Sequence, residues 1–223
     1  MKKLLALVLA IVMVCGLCGC LGGGNNDDVR GDINSGGQIQ EQKEPEFSLG
    51  KSANNTYNND FLGLSCTLPS EFVFYTDKQI LELNNIMGDI IDEDVAKQLE
   101  NANIIYDMHA VNQVAGDSIN VNLEKLSAAQ IINLDIKKTL EAQIDTIKSS
   151  FQSMGYTDIN VAYKKTTVDS KEFDSLTIFA KVQGVPYYST VFTFRKGKYL
   201  ANVTFGTFQT DKTNTFVSYF TIK

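Results

Sequence analysis

Four strand-like runs, Ile159 to Lys165, Glu172 to Gln183, Val185 to Arg195 and Tyr199 to Thr207, constrain the fold more than any other part of the chain. Turn pairs separate them at Asp169-Ser170, Gln183-Gly184 and Lys196-Gly197, a spacing that suits an antiparallel meander of hairpins. With two-residue loops at the last two turns, Phe179 lies opposite Tyr188, Phe192 opposite Ala201, Phe194 opposite Tyr199 and Tyr188 opposite Phe205. That register gathers the aromatics on one face. The other face carries Leu176, Ile178, Ala180, Val182, Val185, Val191 and Leu200. Neither face is written for water, so each needs a cover.

One cover is legible directly upstream. From Asp135 to Met154 the residues Ile136, Leu140, Ile144, Ile147, Phe151 and Met154 recur at spacings of four, four, three, four and three, the period of a single helix face. Lys137, Lys138, Glu141, Asp145 and Lys148 fall on the opposite side, and Gly155 follows as a C′ residue. The apolar stripe reads as core, not as a cofactor site. A closing helix from about Asp211, with Phe216, Val217 and Phe220 on one stripe, is expected to help cover the second sheet face.

Two hairpins precede the long helix. Order begins near Tyr57, and Leu62, Leu64, Cys66 and Leu68 alternate along a strand that Pro69 ends. Glu71 to Tyr75 adds a short extended piece. Thr76 or Asp77 then caps a helix with Ile80, Leu81 and Leu83 inward, and a second helix follows Asp92. Ile104 to Val111 and Ser118 to Lys125 form the other hairpin through Ala115-Gly116-Asp117, with Ile119, Val121 and Leu123 on one face and Asn120, Asn122 and Glu124 on the other.

The candidates for chemistry are few. His109 is the single histidine. Alternation places it with Asp107, opposite Tyr106 and Met108, as a solvent-facing pair. No serine elbow, cysteine motif or second histidine supports a catalytic dyad there. Cys66 reads as an inert buried thiol. The acidic cluster Asp89, Asp92, Glu93 and Asp94 lacks the alternating Asp/Asn and the glycine of a calcium loop, and suits a helix start stabilised by the helix dipole. No catalytic, cofactor-binding or metal-binding residue is therefore assigned.

The N-terminus carries an address. Lys2 and Lys3 precede an apolar run from Leu4 to Val14, too short to span a bilayer, and Leu17-Cys18-Gly19-Cys20 follows. This arrangement resembles the lipobox signal of bacterial lipoproteins. The resemblance implies a signal peptide over 1–19, lipidation of Cys20, and attachment to the cell membrane on its extracytoplasmic side. From 20 to 52 the chain is rich in Gly, Asn, Asp and Gln, and reads as a flexible tether reaching about 30 Å. Arg30-Gly31-Asp32 within it is a chance tripeptide. A single α+β domain is expected over 53–223. Cys15 and Cys18 would leave with the signal and Cys20 would be acylated. Cys66 is then alone, and the fold rests on a packed core without an internal disulfide. A formal net charge of −6 argues against a nucleic-acid partner and against electrostatic adhesion to anionic lipid, which leaves acyl chains on Cys20 as the membrane contact.

Phe61-Leu62-Gly63-Leu64 to Pro69, Phe72-Val73-Phe74, the helix end Met154-Gly155-Tyr156 and the terminal Phe216-Val217-Ser218-Tyr219-Phe220 together resemble the PsbP-like fold. That resemblance implies a three-layer αβα sandwich around a mainly antiparallel sheet, and an accessory or binding role in place of one shared chemistry. The function expected is a non-enzymatic binding or accessory module of the cell envelope, with an envelope protein as partner and no cofactor. The alternative is a small exported hydrolase or small-ligand-binding protein whose site does not show in sequence.

Overall fold

A computed structural model describes residues 47–85, 99 and 102–223. The signal peptide, Cys20, most of the tether, the acidic cluster Asp89, Asp92, Glu93 and Asp94 and the start of the helix after Asp92 lie outside these residues.

The meander is present and longer than its sequence limits: β7 (Tyr156–Val168), β8 (Lys171–Val182), β9 (Val185–Lys196) and β10 (Tyr199–Phe208). Asp169 and Ser170 have φ of 48° and 67°, and Gln183 and Gly184 have 52° and 79°. Two successive left-handed residues give the tight turn whose twist matches paired strands. The third loop differs from expectation. It is Gly197-Lys198, so Lys196 pairs with Tyr199, Phe194 with Ala201, Phe192 with Val203 and Tyr188 with Thr207. Gly197, at φ 55°, takes the first loop position, which moves the register by two residues. A two-residue slip preserves the faces, and the aromatics remain together.

These strands continue a seven-stranded antiparallel sheet of order β4-β5-β6-β10-β9-β8-β7, with β4 (Val73–Phe74), β5 (Ile104–Asn112) and β6 (Asp117–Lys125). A second sheet joins β1 (Lys51–Ala53), β2 (Thr56–Asn59), β3 (Leu64–Thr67) and the C-terminal β11 (Phe220–Ile222). Lys51 and Ser52, read as the end of the tether, are strand: they pair with Asn58 and Tyr57. Asn54 and Asn55 turn the chain with φ of 49° and 60°. This pairing is made by backbone, and the polar side chains concealed it.

The α+β class stands. One face of the large sheet packs Ile105, Met108, Ile119, Val121, Leu123, Val203 and Phe205 against Leu62, Leu64, Cys66 and Leu68 of the small-sheet region. The other face takes the long helix α3 (Ile136–Ser153) and the short α2 (Ala128–Ile132), which the sequence reading did not include, while α1 (Asp77–Leu83) packs on β5 with Leu81 against the first core. Asp135 caps α3 by accepting a hydrogen bond from the Lys138 amide at 3.0 Å, and Gly155 leaves it at φ 86°. Leu140, Ile147 and Phe151 pack on Tyr156, Val161, Leu176, Ile178, Ala180, Tyr187 and Phe208, while Ile144 and Met154 are only partly buried. The closing helix is shorter than expected. α4 (Thr213–Val217) has five residues, and the chain then becomes β11, where Phe220 pairs with Cys66. One outer layer is thus α3, and the other is the small sheet with α4.

Candidate functional site

The structure separates Asp107 from His109. The register of β5 on β6 shifts between Tyr106 and Met108, so Asp107 is the extra residue of a bulge. Alternation through that point fails. Asp107 turns toward the small sheet and is 3% exposed, where its Oδ1 accepts from the Gly50 amide at 2.6 Å. Its Oδ2 accepts from Asn59 Nδ2 at 2.7 Å and from the Tyr57 hydroxyl. Burial raises its pKa despite these three donors. The solvent-facing reading of this pair is corrected on both members, since His109 is 2% exposed on the opposite face. The His109 ring meets Tyr75 edge-on at 4.4 Å between centroids, and neither ring nitrogen finds a hydrogen-bond partner among the described residues. Burial pulls its pKa down to about 4, so the ring is neutral at pH 7.

Asp107 therefore ties the small sheet to the large one. Tyr57→Phe removes one of its donors, and the expected loss is about 1–3 kcal/mol of stability in urea denaturation, as for a buried acceptor left short of a partner. An unchanged midpoint would mean that the carboxylate does not bind the sheets together.

Cys66 is buried, and burial pushes its thiol up to about 12, which keeps it protonated. On the α3 side of the sheet, Asn120, Asn122, Asn202 and Thr193 form a buried ladder. Thr193 Oγ1 donates to Asn202 Oδ1 at 2.8 Å, Asn202 Nδ2 to Asn122 Oδ1 at 3.3 Å, and Asn122 Nδ2 to Asn120 Oδ1 at 3.4 Å. This chain fastens β9, β10 and β6 through side chains as well as backbone.

The candidate site lies on the other face, over β7, β8 and β9. Three rows of side chains cross these strands: Asn160-Phe179-Tyr188, Ala162-Thr177-Thr190 and Lys164-Ser175-Phe192. The middle row is small, so a hollow forms where the small sheet does not reach. Its volume is about 240 Å³, and Asn160, Lys164, Thr177, Phe179, Tyr188 and Thr190 line it together with Asp211 and Thr213. A buried carboxylate fixes the end wall. Asp117 accepts from Thr207 Oγ1 at 2.6 Å and from Lys212 Nζ at 2.9 Å, which holds the connection from β10 to α4 in place. Asp211 Oδ1 in turn accepts from the Thr213 amide at 2.9 Å and hydroxyl at 2.7 Å.

Two groups of the lining stand out. Thr190 is 1% exposed and its hydroxyl has no hydrogen-bond partner among the described residues. Lys164 makes no ion pair among the described residues, whereas its neighbour Lys165, on the opposite face, bonds Asp174 at 2.8 Å. No group of three or more His, Cys, Asp or Glu side chains placed to hold a metal occurs among the described residues. None of the lining residues is a site candidate in the sequence, where Phe179 and Tyr188 enter only as facing aromatics of the sheet. The one available signal was the small, polar Ala162-Thr177-Thr190 row between bulkier rows, and it emerges only once the strand register is known.

The site thus belongs to an α+β domain with a mainly antiparallel sheet, and its geometry defines a small polar hollow. No family model matches the chain, and no curated protein matches it in sequence. Among solved structures the chain is similar to the Ran-binding protein Mog1p of Saccharomyces cerevisiae, at 10% identity and a TM-score of 0.35, over 72% of this chain and 78% of that one.

Proposed function

We propose that the protein is a membrane-anchored extracytoplasmic lipoprotein that works as a non-enzymatic binding module of the cell envelope, with the hollow over β7 to β9 as its binding surface. The observation that carries the reading is the hollow itself: a preformed concavity with a buried Thr190 hydroxyl at its floor that has no partner among the described residues. The polar lining favours a small polar ligand, or a polar group on a larger envelope component, over a broad apolar protein contact. Attachment rests on the lipobox-like Leu17-Cys18-Gly19-Cys20 and the apolar run before it. Two acyl chains on Cys20, at about 0.8 kcal/mol per buried methylene, anchor stably where one chain binds reversibly.

Replacing Cys20 with Ser is expected to abolish incorporation of labelled fatty acid and to shift the protein out of the membrane fraction. Continued labelling of the variant would remove the anchor from this reading.

A further inference from the structure

We propose that the hollow takes one uncharged saccharide ring, stacked beside Tyr188 and Phe179 and hydrogen-bonded by Thr190, Lys164 and Asp211. This rests on the binding-module reading above and names its ligand class. The lining supplies the first argument. Thr177 and Thr213 offer hydroxyl oxygens as acceptors, their protons going to the Ala162 carbonyl and to Asp211, while the Thr190 hydroxyl and the Asn160 amide both donate and accept, a mixed pattern that a polyhydroxylated ring presents in return. Charge supplies the second. Lys164 and Asp211 place one cation and one anion in the same hollow, so an anionic or a cationic ligand meets one like charge, whereas a neutral ring bonds to both.

The floor and the flank add two further constraints. A hydroxyl as deeply buried as that of Thr190 is unfavourable without a partner, and a ligand hydroxyl reaching the floor satisfies it. Phe179 and Tyr188, with ring centroids 5.4 Å apart and planes at 54°, are half-buried and flank the row of threonines. An aromatic face is electron-rich, and the C–H-bearing face of a sugar ring is its complement. At about 240 Å³ the hollow is smaller than the ~300–1,000 Å³ sites that enclose drug-sized ligands, which suits a single ring and excludes a dinucleotide.

The test is calorimetric titration of the full chain in dodecylphosphocholine micelles with chitotriose, maltotriose and inorganic phosphate, each run on wild type, Tyr188→Ala, Thr190→Val and Lys148→Ala. Thermal melts check that each variant is folded, and Thr190→Val, which keeps the side-chain shape, serves if Tyr188→Ala does not fold. Saccharide binding that weakens about tenfold or more in Thr190→Val and persists in Lys148→Ala is the expected result. Binding of neither saccharide, phosphate binding as tight as saccharide binding, or saccharide affinity indifferent to Thr190→Val overturns the proposal. A photoreactive residue at position 160 separates the two readings. Envelope material captured there without saccharide binding overturns only the ligand class, and absence of both overturns the binding module as well.

Discussion

Phe151→Ala is expected to lower the unfolding free energy by about 3–5 kcal/mol, the range for emptying an aromatic site in a packed core. Phe151 is 0% exposed and meets Tyr156 and Tyr187 at 4.9 and 6.0 Å between ring centroids, so its removal leaves a void that α3 cannot close without losing Leu140 and Ile147 as well. Leu140→Ala is expected to cost about 2–5 kcal/mol. Ile144→Ala falls below it, because Ile144 is only partly buried. Lys138→Ala, on the solvent side, stays within about 0.5 kcal/mol. Denaturant midpoints check the order. Equal shifts for Phe151→Ala and Lys138→Ala would show that α3 presents a different face to the sheet.

The second large effect is one of pH. Burial depresses the His109 pKa from its ordinary 6.5 to about 4. Between these values the unfolded chain holds a proton that the folded protein does not, so stability is present above pH 6.5 and is lost as pH falls toward 4. The loss attributable to this ring is on the order of 3 kcal/mol across that window. Asp107 acts in the opposite sense. Its raised pKa stabilises the fold at the acid end, and this contribution declines as pH rises through the folded value. Comparing wild type with His109→Gln cancels the Asp107 contribution. The variant is expected to show a flatter dependence between pH 6.5 and 4, and parallel profiles would place the ring in contact with water.

The elements came through from sequence where one residue type decides them. Gly155 ends α3, Gln183-Gly184 turns β8 into β9, and the period of Leu140, Ile147 and Phe151 marks the buried face of the helix. Where a position depended on register, local pattern was insufficient. The bulge at Asp107 inverts the facing of everything after it on β5, and no residue type in Tyr106-Asp107-Met108 announces it. The turn at Gly197-Lys198 differs by one residue from Lys196-Gly197, yet moves each partner by two. β1 was hidden because its strand character lies in backbone pairing, and β11 because Phe216, Val217 and Phe220 suit a helix stripe as well as a helix followed by a strand. The hollow was least legible of all. Ala162, Thr177 and Thr190 come from three strands, and their common smallness has meaning only when they lie side by side.

The most direct measurement of the central claim, a binding module that works through the hollow over β7 to β9, is site-resolved photocrosslinking in intact cells. A photoreactive residue is placed at Asn160 on the rim of the hollow in one protein and at Glu141 on the solvent face of α3 in another, both exposed positions. The account predicts an adduct at position 160 that is lost with Thr190→Val, and none at position 141. Adducts of equal yield at both positions, or at position 141 alone, would contradict it.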